Sequence, residues 1–236
     1  MKTLIVGAGQ VGTALKEVLA NYHEVHIKDL QDYPLKDVEV MHICYPEHTG
    51  FVKTTKNYIK QYKPRLTIIN SSVSVGTTSK CGPDVVYSPV RGRHPSLAKE
   101  MTVFAKFSGC WNESKAIEAT DYFNNSGWRE AYAIDNPDAL EYLKLMSNVH
   151  MGLEVAWRQE VNRMMKRFNV NGEHYDQWEQ TYSDGYRNLG QWHLMRSRMN
   201  PGPIGGHCIL PCTEILGSQF KSKAFDFILE SNAKAS

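Results

Sequence analysis

Three groups of residues have the types and spacing to do chemistry. The first is Gly7-Ala8-Gly9-Gln10-Val11-Gly12, a G-x-G-x-x-G run. Glycines at these positions permit a tight turn, close approach of backbone to a pyrophosphate, and close packing of a helix on a strand. A helix opening at Gln10 would turn free N–H groups and its positive dipole end toward phosphates. The second group is Lys144 and Asn148, four residues apart and so on one face of a helix. In a cleft this pair can hydrogen-bond a developing alkoxide or carry its proton; on a surface it is a solvated lysine beside an asparagine. The third is Pro201-Gly-Pro-Ile-Gly-Gly-His-Cys-Ile-Leu-Pro-Cys212. A nucleophilic thiol needs thiolate character and close approach of its substrate, and Gly205 and Gly206 before Cys208 provide the approach. Two other readings of this loop stay open. His207, Cys208 and Cys212 could clip a metal, although no second Cys/His pair follows at a recognisable spacing, or the loop is structural around a buried cysteine.

The elements that would position these groups alternate. LIVGAG (4–9) reads as a strand and QVGTALKEVLANY (10–22) as a helix with Val11, Ala14, Leu15, Val18 and Leu19 on one face. EVHIKD (24–29) and VEVMHICYP (38–46) are further strands, and HTGFVKTTKNYIKQY (48–62) is a helix with a basic outer face. LTIINSS (66–72), DVVYSPV (84–90) and MTVFAKFSG (101–109) follow as strands, and ESKAIEATDYFNN (113–125) as a helix. Such alternation implies a doubly wound parallel sheet covered on both faces. Asp29 ends the second strand, 17 residues after Gly12. A carboxylate there would hydrogen-bond a ribose 2′-OH and favour NAD over NADP, with Lys28 beside it pulling the other way. Pro46 and Ser71, at the ends of the third and fourth strands, complete the expected cofactor-binding set.

From Asp135 the pattern changes. Asp-Asn-Pro is a helix start, and Gly152 is the only glycine or proline from there to about Phe168. One helix of roughly 30 residues, about 45 Å long, is expected. Its first half is apolar on most faces (Leu140, Leu143, Leu145, Met146, Val149, Met151, Leu153), which calls for burial by its own domain or by a second subunit. The remainder, 171–236, reads as helical and aromatic-rich, interrupted at 200–212. The expected organisation is a dinucleotide-binding domain over 1–135 and a helical dimerisation and substrate domain over 136–236.

The 236 residues carry 27 Lys and Arg against 25 Asp and Glu, a net charge of +2 without long blocks of one sign. That points away from nucleic acid and from acidic membranes. Hydrophobic residues make up 42%, ample for a core. No apolar run is long enough to cross a bilayer, and the apolar start is too short for a signal peptide. Five cysteines without framework spacing suit free thiols in a reducing cytoplasm.

Five segments then carry a resemblance: GAGQVG, NSSVSVGTT (70–78), SPVRGRHP (88–95), LEYLKLMSN (140–148) and NPGPIGGHC (200–208). They stand in the order found in the UDP-glucose/GDP-mannose dehydrogenase family, which the chain resembles from residue 1 to about 216. The resemblance implies an N-terminal Rossmann domain and a long helix with a small helical domain, similar to the C-terminal part of 6-phosphogluconate dehydrogenase, that forms a dimer through residues 137–168. It implies NAD-dependent oxidation of a sugar alcohol, with Cys208 capturing an aldehyde as a thiohemiacetal and releasing an acid through a thioester. Lys144 and Asn148 would hold the oxygen and the water, and Ser72 would stand for the family's threonine. Three positions depart from the family. Val90 and His94 stand where glutamates are expected, Cys212 replaces an aspartate, and the sequence stops about where the family's nucleotide-gripping domain begins. Arg91 and His94, with Arg93, could instead bind a phosphate or carboxylate, alongside Gly205 and Gly206 as substrate contacts; otherwise they are an exposed basic turn. The implied substrate is a sugar nucleotide or an acidic sugar. Two alternatives remain: a two-electron β-hydroxyacid or 6-phosphogluconate-type dehydrogenase using Lys144 and Asn148 without the cysteine, and a non-catalytic NAD(H)-binding subunit or sensor.

Overall fold

A computed structural model describes residues 1–235. The chain divides by its internal contacts into two units, Met1–Leu145 and Met146–Ser236.

The first unit is built on strands whose residues alternate between two apolar layers. Strand β1 (Lys2–Val6) sends Ile5 to one layer and Leu4 and Val6 to the other. Side chains two apart share a face, so a strand buried on both sides must be apolar throughout. Strands β3 (Val40–Ile43) and β4 (Leu66–Ile69) are buried at every residue for the same reason. With β2 (Glu24–Lys28), β5 (Val85–Tyr87), β6 (Lys106–Gly109) and β7 (Ala131–Ile134) they form one seven-stranded sheet, ordered β2-β1-β3-β4-β5-β6-β7. Helix α1 (Gln10–Leu19) packs in the layer of Ile5, and α2 (Phe51–Tyr62) and the short α3 (Thr77–Cys81) pack in the layer of Leu4.

The doubly wound α/β architecture is as expected, with three local corrections. The segment 101–109 is not one strand: its start closes a short helix, α4 (Leu97–Met101), and only Lys106–Gly109 is extended. Met101 is buried, whereas Val103 and Phe104 are exposed, so the apolar run turns a corner between two elements. The sheet is not wholly parallel, since β5 and β6 pair antiparallel through Tyr87 and Gly109. The last strand, β7, follows α5 (Glu113–Asn124) and adds a parallel edge that the sequence pattern does not announce, its Tyr132 and Ala133 being exposed.

Helix α6 (Pro137–Phe168) begins where Asp-Asn-Pro predicts, with the Asn136 side chain accepting from the Ala139 N–H at 2.9 Å. Its first turns belong to the first unit. Leu140 lies in the sheet's core, and Asp138 and Glu141 bond to residues around α3. The division of the chain therefore falls after Leu145, ten residues beyond Asp135.

In the second unit the rest of α6 stands with α7 (Gly172–Asn188), α8 (Ile209–Gln219) and α9 (Lys223–Ala233). Gly152, the lone glycine of α6, has a packing reason: a Cβ there would lie 2.9 Å from Ile209 and 3.2 Å from Ile228. Of the apolar residues in the first half of α6, Leu140, Leu145 and Val149 are buried within the chain, whereas Leu143 and Met151 are exposed; farther along, Trp157, Met164 and Phe168 are exposed too. Among the described residues no helix is long and apolar enough to cross a membrane.

Candidate functional site

Strand order reverses between β2-β1 on one side and β3 onward on the other, so the carboxyl ends of β1 and β3 frame a crevice, the place where open α/β sheets bind ligands. The glycine run occupies the β1 end. Gly7 has φ +107, and a Cβ there would lie 2.7 Å from the Tyr45 nitrogen. Gly12 faces the Gly7 carbonyl oxygen so closely that a Cβ would lie 1.9 Å from it. Gly9 is different: it precedes α1 as its N-cap, without a side-chain cap, and a Cβ there would meet nothing within 4 Å. Two glycines are thus required by the protein's own packing, and the third leaves open space before an uncapped helix end. That arrangement suits the pyrophosphate of a dinucleotide. Gln10 and Val11 form the first turn of α1, and no acidic side chain stands in that turn to repel an anion.

Asp29 follows β2 directly and is exposed. Lys28 is buried, and its ammonium donates to the Asp29 carbonyl at 2.7 Å and lies 5.0 Å from the centre of the Tyr58 ring. Pro46 is exposed beyond β3. Ser71 is buried, and its hydroxyl donates to the Tyr45 carbonyl at 2.6 Å, tying the end of β4 to the end of β3. Ser72, beside it, is half-buried.

The loop after β4 is held from two directions by carboxylates that the sequence reading did not single out. Glu47 accepts from the Ser74 N–H and hydroxyl (3.0 and 2.9 Å) and from the Thr77 hydroxyl (3.1 Å). Glu141, fully buried on α6, accepts from the Gly76 N–H at 2.6 Å, the Thr78 N–H at 2.8 Å and the Thr78 hydroxyl at 2.6 Å. The local signals were an acid just past a strand end and an acid inside an apolar helical run. Burial pushes the Glu141 carboxyl up to about 7, against the three donors, with Asp138 adding in the same direction. A carboxyl raised above its unfolded value favours the fold while protonated. Its contribution is therefore complete below about pH 4.5 and is lost as pH rises through about 7. Glu141→Ala strands buried donors and is expected to cost about 2–4 kcal/mol, while Glu141→Gln removes this part of the pH dependence; urea melts across that range measure both.

Lys144 donates to the Val90 carbonyl at 3.0 Å. Arg91 is exposed, its guanidinium 5.2 Å from the centre of the Phe104 ring. Arg93 is tied to Glu100, which also accepts from its N–H at 2.9 Å. His94 is exposed and precedes a cis proline.

In the second unit the proline-glycine loop is pinned near its start. Gln159 donates to the Gly202 carbonyl at 2.9 Å, and the Asn232 side chain accepts from the Ile204 N–H at 2.6 Å. Gly205, Gly206 and His207 follow in the open, with Gly206 at φ +80. Cys208 is exposed as the N-cap residue of α8. Asn148 does reach a cysteine, but it is Cys212: its amide donates to the Cys212 sulfur at 3.1 Å, one turn into α8 and buried. Among the described residues no three His, Cys, Asp or Glu side chains converge as a metal set would.

The same fold occurs in solved dehydrogenases. The UDP-D-ManNAc dehydrogenase from Pyrococcus horikoshii matches the whole of this chain with a TM-score of 0.80 at 16% identity, over 69% of its own length. The UDP-glucose dehydrogenase from the hyperthermophilic archaeon Pyrobaculum islandicum matches 99% of it with a TM-score of 0.74 at 15% identity, over 68% of its length. The 3-hydroxyisobutyrate dehydrogenase from Mycobacterium tuberculosis matches 99% of it with a TM-score of 0.71 at 12% identity, over 92% of its length. This chain has the fold those dehydrogenases share. It spans about two thirds of the nucleotide-sugar enzymes and most of the hydroxyacid enzyme. No protein-family model and no curated protein matches it by sequence.

Proposed function

We propose that the chain is an NAD-dependent oxidoreductase acting on an alcohol of a sugar nucleotide or a smaller acidic sugar. The observation that carries this reading is Gly9, open to solvent before an uncapped helix at the sheet's switch point, between two glycines that packing demands. Gly7, Gly9, Gly12 and the first turn of α1 would hold the pyrophosphate, and Asp29 the adenosine ribose. Pro46, Ser71 and Ser72 would line the way toward the nicotinamide. Bound there, the cofactor supplies an acceptor for the hydride of a carbinol carbon. Lys144 takes the hydroxyl proton and Asn148 donates to the oxygen. Arg91 and His94 would bind an anionic part of the substrate, and Gly205 and Gly206 would give substrate close approach to Cys208. Where the product aldehyde is oxidised further, the Cys208 thiol adds across its carbonyl to give a thiohemiacetal, the hydride of that carbon would pass to a second oxidised cofactor to leave a thioester, and water cleaves the thioester to release the acid and the thiol. The exposed residues of α6, with Leu143, Trp157 and Met164 at multiples of seven, favour a homodimer through that helix.

The resemblance to the hydroxyacid enzyme over nearly its full length favours a second reading, a single two-electron oxidation without the cysteine. Calorimetric titration with NAD, NADH and NADP tests what both share. Micromolar to submillimolar binding of NAD(H), tighter than NADP, is expected; no binding of any of the three removes both readings and leaves a scaffold.

A further inference from the structure

Cys208 and Cys212 stand one helical turn apart at the start of α8, and they are opposites in exposure. Cys208 is the exposed N-cap residue, and its side chain makes no capping hydrogen bond. Cys212 is 1% exposed, and its sulfur accepts from the Asn148 amide at 3.1 Å. The other three cysteines, Cys44, Cys81 and Cys110, are buried in the first unit, so these two are the thiols of the second. A buried cysteine kept for packing alone behaves as a small apolar group. An amide donor aimed at its sulfur is something that packing does not need.

Residues four apart in an α-helix stack on one face. Their Cα atoms are about 6.2 Å apart, inside the span of roughly 4.4–6.8 Å that disulfides bridge. The Cys212 N–H donates to the Cys208 carbonyl at 3.1 Å, which puts the pair in that register. The stacked Cβ atoms are about 5–6 Å apart, whereas a disulfide needs roughly 3.5–4.5 Å, so the Cys208 end must turn inward for a bond to form. The first turn is built to yield. Pro211 has no N–H to contribute to it. Ahead of it Gly205 and Gly206 are exposed, with no atom within 4 Å of where a Cβ would stand on either.

We propose that Cys208 and Cys212 are a redox pair: a hydroperoxide oxidises the exposed thiol, and the buried thiol closes it into a reversible disulfide. In the first step the Cys208 sulfur attacks the O–O bond. With hydrogen peroxide it becomes a sulfenic acid and one water leaves. In the second step the Cys212 sulfur attacks the Cys208 sulfur. The S–S bond forms, the S–O bond breaks, and the hydroxyl leaves with the Cys212 proton as a second water. One peroxide is thus reduced to two waters while two thiols are oxidised to one disulfide. The Asn148 amide meets the negative charge that the Cys212 sulfur carries as its proton leaves. A dithiol reopens the bond by exchange. Closing the pair would also halt acid formation; that consequence, unlike the disulfide itself, rests on the role given to Cys208 above.

The test reads the bond directly. Reduced protein is treated with hydrogen peroxide, free thiols are blocked with iodoacetamide, and the tryptic peptide 199–221, which holds both cysteines, is weighed. It is expected to be lighter than the dithiol form by two hydrogens, to carry no alkyl group, and to regain both thiols with dithiothreitol. In Cys212→Ala, Cys208 is expected as a sulfenic acid that dimedone traps, and then as a sulfinic acid that dithiothreitol does not reverse. Unoxidised thiols, a peptide joined to a second copy of itself, or sulfinic Cys208 in the wild type at the level of the variant overturns the proposal. Should Cys212→Ala fail to fold, the wild-type peptide decides alone. Product analysis on the same samples separates the two readings. A disulfide form that still yields acid upholds the pair and removes the covalent role of Cys208; acid formation lost with the disulfide and restored by dithiothreitol supports both.

Discussion

Gly12→Ala is expected to abolish binding of NAD and to destabilise the first unit by about 3 kcal/mol or more. The added methyl carbon would sit 1.9 Å from the Gly7 carbonyl oxygen. A backbone atom cannot swing aside as a side chain does, so α1 must lift from β1, carrying with it Leu15 and Leu19, both fully buried. Gly9→Ala makes the contrast. Its methyl meets no protein atom within 4 Å, and the change at an N-cap costs about 1 kcal/mol or less. The same methyl projects into the space where the reading places a pyrophosphate, so NAD affinity should fall at least ten-fold while the fold persists. Urea melts and calorimetry on the two variants separate packing from binding. Wild-type NAD affinity in Gly9→Ala would mean that no phosphate approaches this turn.

Lys144→Met is expected to lower kcat by about a thousand-fold with NAD affinity unchanged, the scale on which a positioned acid–base group acts. Its anchor on Val90 lies outside the glycine turn, so cofactor binding has no reason to change. Cys208→Ala then divides the two enzyme readings. In a four-electron oxidation it abolishes acid formation; in a two-electron oxidation it leaves turnover as it was. NADH released per substrate, with product analysis, reports the difference. The exposed position of Cys208 at the start of α8 means that its removal disturbs no core.

The sequence by itself determined the parts whose physics is local. Glycines two and three residues apart after an apolar strand specify the β1–α1 turn, and short, mostly apolar runs announce β3 and β4. Asp-Asn-Pro places the start of α6, and the lone Gly152 marks a close approach whose partners only the structure names, Ile209 and Ile228. Each of these follows from spacings within one or two turns of chain. The tertiary structure decided whatever depends on partners far apart in sequence. Nothing near Asp135 reveals that Asp138, Glu141 and Lys144 fasten the start of α6 to residues 79, 76–78 and 90, which moves the division of the chain to Leu145. No spacing pairs Asn148 with Cys212 rather than Cys208; the path of the chain between them does. A lysine in β6 looks like any strand-edge charge until the sheet buries it against Ser88 and Pro89. A hydrogen bond depends on distance in space, and over such separations the chain's order carries no record of that distance.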